Sequence, residues 1–282
     1  MITRIHHLNC GTMCIACQRL INGHGSWTAP ATLVCHCLLV ETSDTLVLVD
    51  TGMGKEDIKN PQRRLGSAYL SAFKPQLAIA ETAFEQIKGL GYDPRDVRHI
   101  LTTHLDLDHA GGLADFPEAA VHVLQPELTQ ILHPTLRDRL RFRQAQFDHQ
   151  PKWHVHEHID QQWFGFDAIR AIAALRDDLL MVPLIGHTKG HMGVALKCND
   201  KWLLHCGDAY YHHSQVTAHP DMPLGLAWFE KIVQTLPEQR RHNLARLRQL
   251  ALQHGDQVEL FCAHDPVELA RYGARNPSSS AL

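Results

Sequence analysis

The sequence predicts a mixed α/β fold built in layers, and three observations predict it. Apolar runs of strand length, such as Val47-Leu48-Val49 and Ile100-Leu101, recur along the chain and end in an acid, a histidine or a glycine. Segments with helical spacing of apolar residues lie between them, so the order runs strand, strand, helix, strand, loop, helix, strand. With 44% hydrophobic residues over 282 positions, the chain can build a substantial core.

The first pair of strands spans Ala31 to Val40 and Thr45 to Asp50, joined by the polar turn Glu41-Thr42-Ser43-Asp44. The second strand runs into Asp50-Thr51-Gly52, which either delivers Asp50 to a site edge or lets it cap the next element. Lys55 to Lys74 is polar, with Tyr69, Leu70 and Phe73, and reads as an excursion over a site mouth. Ile79 to Leu90 carries Ile79, Ala83, Phe84, Ile87 and Leu90 at the spacing of an amphipathic helix. Asp93 to Asp96 is a turn, Val97 to Thr103 a strand, and Ala120 to Leu124 another. Gln125 to Ile169 is irregular, and its aromatic residues make it a substrate-pocket wall. Its alternation His154-x-His156-x-His158 places three imidazoles on one strand face, where a structural or substrate-lining role outweighs a metal site. Leu179 to Leu184 is a strand. Met192 to Lys197 and Trp202 to His205 form a hairpin around Asn199-Asp200, and Val258 to Cys262 is the last strand. Pro237 to His254 is an amphipathic helix with Leu244, Leu247, Leu250 and Ala251 inward and Arg240, Arg241, Arg246 and Arg248 on a solvated face. The Ser-rich tail 276–282 is expected to fray. The whole of 1–282 is read as one domain, with 55–75 and 125–170 as excursions.

A net charge of −3 from interspersed acids and bases gives no reason to expect a nucleic-acid or anionic-membrane partner. The N-terminus lacks an apolar signal core, and no apolar run approaches the roughly 18 residues a membrane span needs. A soluble, cytoplasmic protein is expected. Its eight cysteines are then most simply reduced thiols, and Cys14-x-x-Cys17 lacks the second pair that a zinc knuckle requires. No G-x-S-x-G is present, nor a cysteine in a recognisable nucleophile motif.

The chemistry concentrates in Thr103-His104-Leu105-Asp106-Leu107-Asp108-His109-Ala110-Gly111-Gly112, with four metal-ligand types in six residues after a strand. His104 and Asp106, two apart, face one side of an extended chain, while Asp108 and His109 diverge, so one loop serves two ions. Leu105 and Leu107 are expected to anchor it in the core. The bland alternative is that these residues only cap a helix beginning near Ala110. Three later strand ends add Gly186-His187-Thr188, Gly207-Asp208 and Ala263-His264-Asp265.

In order and spacing, Asp50-Thr51-Gly52, the His104 to His109 loop, Gly186-His187-Thr188, Gly207-Asp208 and His264 resemble the metallo-β-lactamase superfamily over nearly the whole chain. The resemblance implies an αββα sandwich with a two-metal cleft at one end. It implies His104, Asp106 and His187 on the first metal, Asp108, His109 and His264 on the second, and Asp208 bridging. Asp50 and His191 would support these ligands without binding metal. Within the superfamily the likeness is to N-acyl homoserine lactone lactonases, through Tyr211 three residues after the bridging aspartate and through His264-Asp265. That implies hydrolysis of a lactone or other ester-like carbonyl by a metal-bridging hydroxide, with the first metal and Tyr211 holding the oxyanion and Asp108 or water supplying a proton.

One residue departs from the family pattern, which has histidine where this chain has Asp106. Two divalent ions, three aspartates and a hydroxide then make a neutral core rather than a positive one. Zinc is the expected metal, and the harder carboxylate adds iron or manganese as alternatives. The flavodiiron proteins share a carboxylate here but need a flavin domain for which this chain has no room. The rival readings are a glyoxalase II-like thioester hydrolase, if the arginines of Pro237 to His254 face the cleft, and a metal-binding sensor module without catalysis. Action on RNA would need a nuclease insertion and a basic surface, both absent from the sequence. Lys55 to Lys74 is either a lid or a homodimer contact.

Overall fold

The strand ends that carry the chemistry are brought level by two sheets, each packed on helices outside. The structure, a computed structural model, describes residues 1–175 and 177–273. The tail expected to fray lies outside them. The first sheet has six strands in the order of the chain, β1 (Ile2–Ile15), β2 (Ala31–Thr42), β3 (Leu46–Val49), β4 (Val97–Leu101), β5 (Ala120–Leu124) and β6 (Lys152–His156). β1 to β3 are antiparallel, and β3 to β6 run parallel. A short hairpin, β7 (Gln161–Trp163) and β8 (Phe166–Ala168), stands apart. The second sheet holds β9 (Leu179–Pro183), β10 (Met192–Cys198), β11 (Lys201–His205) and β12 (Val258–Phe261), ordered β12-β11-β10-β9.

Alternation along each strand sorts residues into three layers. Leu38, Val40, Val49 and Leu101 of the first sheet meet Met181, Val194, Leu203 and Phe261 of the second between the sheets. On the outer face of the first sheet, Leu48, Ile100 and Val121 pack against Ile87 of helix Ala83–Gly89 and Leu128 and Ile131 of helix Gln125–Leu132. On the outer face of the second, Leu204 and Leu260 meet Leu247 and Leu250 of helix Pro237–His254. These are the four layers of the αββα sandwich.

Most expected elements are present, and helices Leu224–Val233 and Pro266–Gly273 are among those not expected. Residues 2–15, read as no element, form the longest strand, because the run His6-His7-Leu8-Asn9-Cys10 hides its alternation in polar residues that still pair with β2. The helix expected from Ile79 starts at Ala83, where Thr82 caps it by accepting from the Glu85 N–H, and Ile79 and Leu90 are exposed. The irregular stretch 125–169 contains two helices, Gln125–Leu132 and Leu136–Arg141, besides β6, β7 and β8. Arg240 is buried rather than solvated, paired to Glu230 at 3.1 Å. Among the described residues no helix is long and apolar enough to cross a membrane.

Candidate metal centre

Register places the site. Val49 pairs with Leu101 at the ends of β3 and β4, and His205 pairs with Phe261 at the ends of β11 and β12. The segments just beyond them, Asp50 to Gly52, Thr102 to His109, Gly207-Asp208 and Cys262 to His264, therefore leave both sheets at one edge. The loop 184–191 joins them between β9 and β10. Backbone bonds tie the edge together across the sheets, from Met192 N–H to Thr103 O at 2.8 Å and from His36 N–H to Ala263 O at 2.8 Å.

Two groups of donors meet there and share Asp208. His104, His187 and Asp208 form one, and His109, Asp208 and His264 the other, each with ligand atoms within 4.8 Å of one another. Asp208 Oδ1 lies 3.1 Å from His264 Nε2 and 3.3 Å from His109 Nε2, and its Oδ2 lies 3.4 Å from His187 Nε2. Asp106 Oδ2 is 3.0 Å from His187 Nε2 and 3.3 Å from His104 Nε2. Asp108 Oδ2 is 3.6 Å from His264 Nε2. Leu105 and Leu107 are buried beneath the loop. The helix Leu107–Ala110 does begin here, but its N-cap Asp106 makes no capping bond, so capping does not account for the cluster.

The surrounding hydrogen bonds turn every imidazole the same way. His109 Nδ1–H donates to Asp50 Oδ2 at 2.8 Å, and His264 Nδ1–H to Val34 O at 2.7 Å. Thr103 Oγ1–H donates to Asp50 Oδ2 at 2.7 Å, so its oxygen accepts from His104 Nδ1–H at 3.0 Å. Each Nε2 lone pair is thereby aimed inward. His109 Nε2 and His264 Nε2 stand 3.2 Å apart beside Asp208 Oδ1, three acceptors with no neutral donor among them. His104 Nε2 is buried without a hydrogen-bond partner, and so is Asp208 Oδ1. Buried acceptors facing one another are costly unless a cation lies between them. The donor set therefore fits divalent cations bound by imidazole and carboxylate.

Electrostatics agree. Burial opposes charge on Asp208, but His264 and His109 outweigh it and hold the carboxyl well below its usual range. Burial likewise opposes a positive His109, yet Asp208 and Asp50 raise it well above the ordinary value.

Asp50 lies beneath the loop rather than at a helix start, accepting also from the Thr103 N–H at 2.6 Å. His191 bonds through Nδ1–H to Leu184 O at 3.0 Å, and its Nε2 accepts the Asp208 N–H at 2.9 Å, which fixes the bridging residue's backbone. Gly207 is required here, since it has φ +52° and a Cβ would stand 2.6 Å from His191 Nε2. Tyr211 is buried with its hydroxyl 3.0 Å from His187 Nδ1.

Of four further neighbours, sequence reasoning places only Tyr69 near the site mouth. Glu127 accepts the Leu105 and Gly190 N–H groups at 2.9 and 3.0 Å, tying two ligand loops together. Cys35 Sγ stands beside Asp108 and His264. Tyr69, on helix Ser67–Phe73, is pushed well above the usual tyrosine range by burial and then by the Asp108 carboxylate. Arg141, the last residue of helix Leu136–Arg141, grips Asp106 with two nitrogens, Nε to Oδ1 and Nη2 to Oδ2. An arginine has no sequence signature as the neighbour of a metal loop, and Glu127 hides inside a helix.

The site opens on a cavity of about 280 Å³ whose walls are largely apolar, with Met13, Leu33, Phe73, Phe229 and Val233 around Asp108, Asp208 and His264. Of the other histidines, His154 and His156 gather with His122 across β5 and β6 as a second cluster, which His158 does not join. Cys14 and Cys17 stand in no group of potential ligands among the described residues.

A family model described as the metallo-beta-lactamase superfamily matches residues 31–252. A probable metallo-hydrolase of Mycobacterium tuberculosis is 42% identical over 271 residues, which are 95% of this chain and 83% of that protein. An N-acyl homoserine lactonase of Bacillus thuringiensis is 32% identical over 97 residues, 34% of this chain and 39% of the relative. Among solved structures, an N-acyl homoserine lactone hydrolase with the product N-hexanoyl-L-homoserine at its catalytic metal center superposes with a TM-score of 0.68. It is 19% identical and covers 96% of each chain, a likeness of fold.

Proposed function

This chain belongs to the metallo-β-lactamase superfamily, and from that membership we propose that it is a metal-dependent hydrolase of lactones or other esters bearing an apolar substituent. The observation that carries the reading is the pair of donor groups sharing Asp208 on the floor of an apolar cavity. His104, Asp106 and His187 would hold a first cation, Asp108, His109 and His264 a second, and Asp208 both, with residues 1–282 acting as one domain. Two bound divalent cations, zinc first, would acidify water into a nucleophile and polarise the scissile carbonyl.

The remaining work falls to the chain's own groups. His187 Nδ1–H donates to the Tyr211 oxygen, which leaves the Tyr211 hydroxyl hydrogen free for an oxyanion in the cavity. Asp108 lines the same cavity, where its carboxylate can take the proton of the attacking water and hand it to the leaving alkoxide. Met13, Leu33, Phe73 and Phe229 exclude water and suit an acyl chain.

The thioester alternative needs a basic wall from the arginines of helix Pro237–His254, whereas the two arginines that do line the cavity are already held, Arg137 by the Ile232 and Gln234 carbonyls and Arg141 by Asp106. Arg240 pairs with Glu230, Arg246 lies 4.0 Å over the Phe166 ring, and Arg248 donates to Gln215 O. None of them lines the cavity.

Metal analysis of the purified protein, followed by a panel of lactones, aryl esters and a glutathione thioester, tests the proposal. Chelation is expected to abolish lactone turnover and metal return to restore it, with medium-length acyl lactones preferred over the thioester. Full turnover by metal-free protein would sink the proposal, and metal binding without any turnover would favour the sensor reading.

A further inference from the structure

Asp106 stands where the family pattern has a histidine, and the structure gives it a partner. Arg141 Nη2 lies 2.5 Å from Asp106 Oδ2 and 2.5 Å from His187 Nε2, while Nε donates to Asp106 Oδ1. Nη1 donates to His187 O at 3.1 Å and Val233 O at 2.7 Å. The guanidinium is thus anchored on both sides, with its Asp106 ion pair only 15% and 16% exposed.

An arginine can only donate, and that settles the state of His187. Its Nε2 must offer a lone pair to Arg141, so its hydrogen is on Nδ1, toward Tyr211. This is the tautomer that metal binding requires. Asp106 Oδ2 and His187 Nε2 are then two acceptors 3.0 Å apart, both facing the guanidinium as they would face a metal ion. Arg141 does not reach the third imidazole, because His104 Nε2 has no hydrogen-bond partner. The other subsite, His109, Asp208 and His264, contacts no arginine in the described residues.

We propose that Arg141 is a built-in cation of the first subsite, competing with metal for His187 and Asp106, so that the centre is asymmetric and its second subsite fills first. The Asp106 and Arg141 pair then carries the net charge of one neutral imidazole. The neutral core expected from the sequence is corrected accordingly, because Asp106 was counted without its counter-ion. The inference rests on the metal-dependent reading above and deepens it. Arg141 is a positioning residue, since it acts through two donors and all its hydrogens point to protein groups.

The test is cobalt(II) titration of chelator-stripped full-length protein, followed by calorimetry and by the ligand-field absorption of each subsite. The wild type is expected to take one tight equivalent and a second at least about tenfold weaker. Arg141→Met is expected to tighten the second equivalent at least about tenfold and leave the first unchanged. Because that variant strands the Asp106 carboxylate, the double variant Asp106→His with Arg141→Met is titrated beside it and decides the matter if the single variant does not fold. Two equally tight equivalents in the wild type, or a weak second equivalent that neither folded variant tightens, would overturn the inference while leaving the hydrolase proposal intact. Failure of the wild type to bind any cobalt would instead remove the metal-dependent reading and the inference with it.

Discussion

Asp50 illustrates what a single residue does for this centre. Its φ is +55°, a conformation that costs a non-glycine residue about 1–3 kcal/mol, and its carboxylate accepts from Thr103 twice and from His109. That strain is maintained by bonds that orient imidazoles. Asp50→Asn keeps the shape and loses the charge, so it is expected to weaken metal affinity about 10–100-fold with little change in melting temperature, measurable by chelator competition. Tyr211→Phe removes only a hydroxyl and is expected to lower kcat about 10²-fold while KM stays near its parent value. Residues of this scale were legible in the sequence when their chemistry names them. His104, Asp108, His109, His187, Asp208 and His264 follow strand ends, and the structure brings them together. Arg141 was not legible, because it joins Asp106 across 35 residues from a helix whose two-turn pattern Leu136–Arg141 is too short to stand out.

At the scale of elements, the excursion at residues 55–74 is fastened to the metal loop at its near end. Arg64 pairs with Asp57 at 2.6 Å, both buried, and also donates to Gly111 O at 2.8 Å beside the ligand loop. Asp57 in turn accepts the Gly54 N–H, and Gly54 packs so closely that a Cβ there would meet Gly111 O at 2.5 Å. Helices Lys55–Lys59 and Pro61–Arg64 therefore form a fixed base, and Ser67–Phe73 carries Tyr69 and Phe73 to the cavity wall. Breaking a buried pair from one side strands a charge. Arg64→Met is expected to cost about 3–5 kcal/mol of unfolding free energy by denaturant titration. The sequence marked this stretch as an excursion by its polarity, but its anchoring depends on a contact with Gly111 that no local pattern encodes.

At the scale of the molecule, the first sheet carries a row of imidazoles from β4 to β6. His99 Nδ1 lies 2.9 Å from His122 Nε2, and His122 Nδ1 lies 2.9 Å from His156 Nε2. Burial first, and then His156 and His99, lower the His122 pKa from 6.5 to about 3. A depressed folded value means this contribution to stability is present above about pH 6.5 and is lost as pH falls toward 3. Melting temperature is expected to decline over that window, and less steeply in His122→Gln; equal slopes for the two would refute the link. The layers themselves were legible through strand alternation, whereas β1 was not, because its partner strand rather than its own pattern reveals it. The sheets also divide the ligand set, His104 and His109 leaving one and Asp208 and His264 the other. A bound ion would therefore rivet the halves of the sandwich together, and a ligand that binds only the native state adds to its free energy of unfolding. Starved of metal, the molecule should part along its own seam and be digested by proteases sooner than its loaded form.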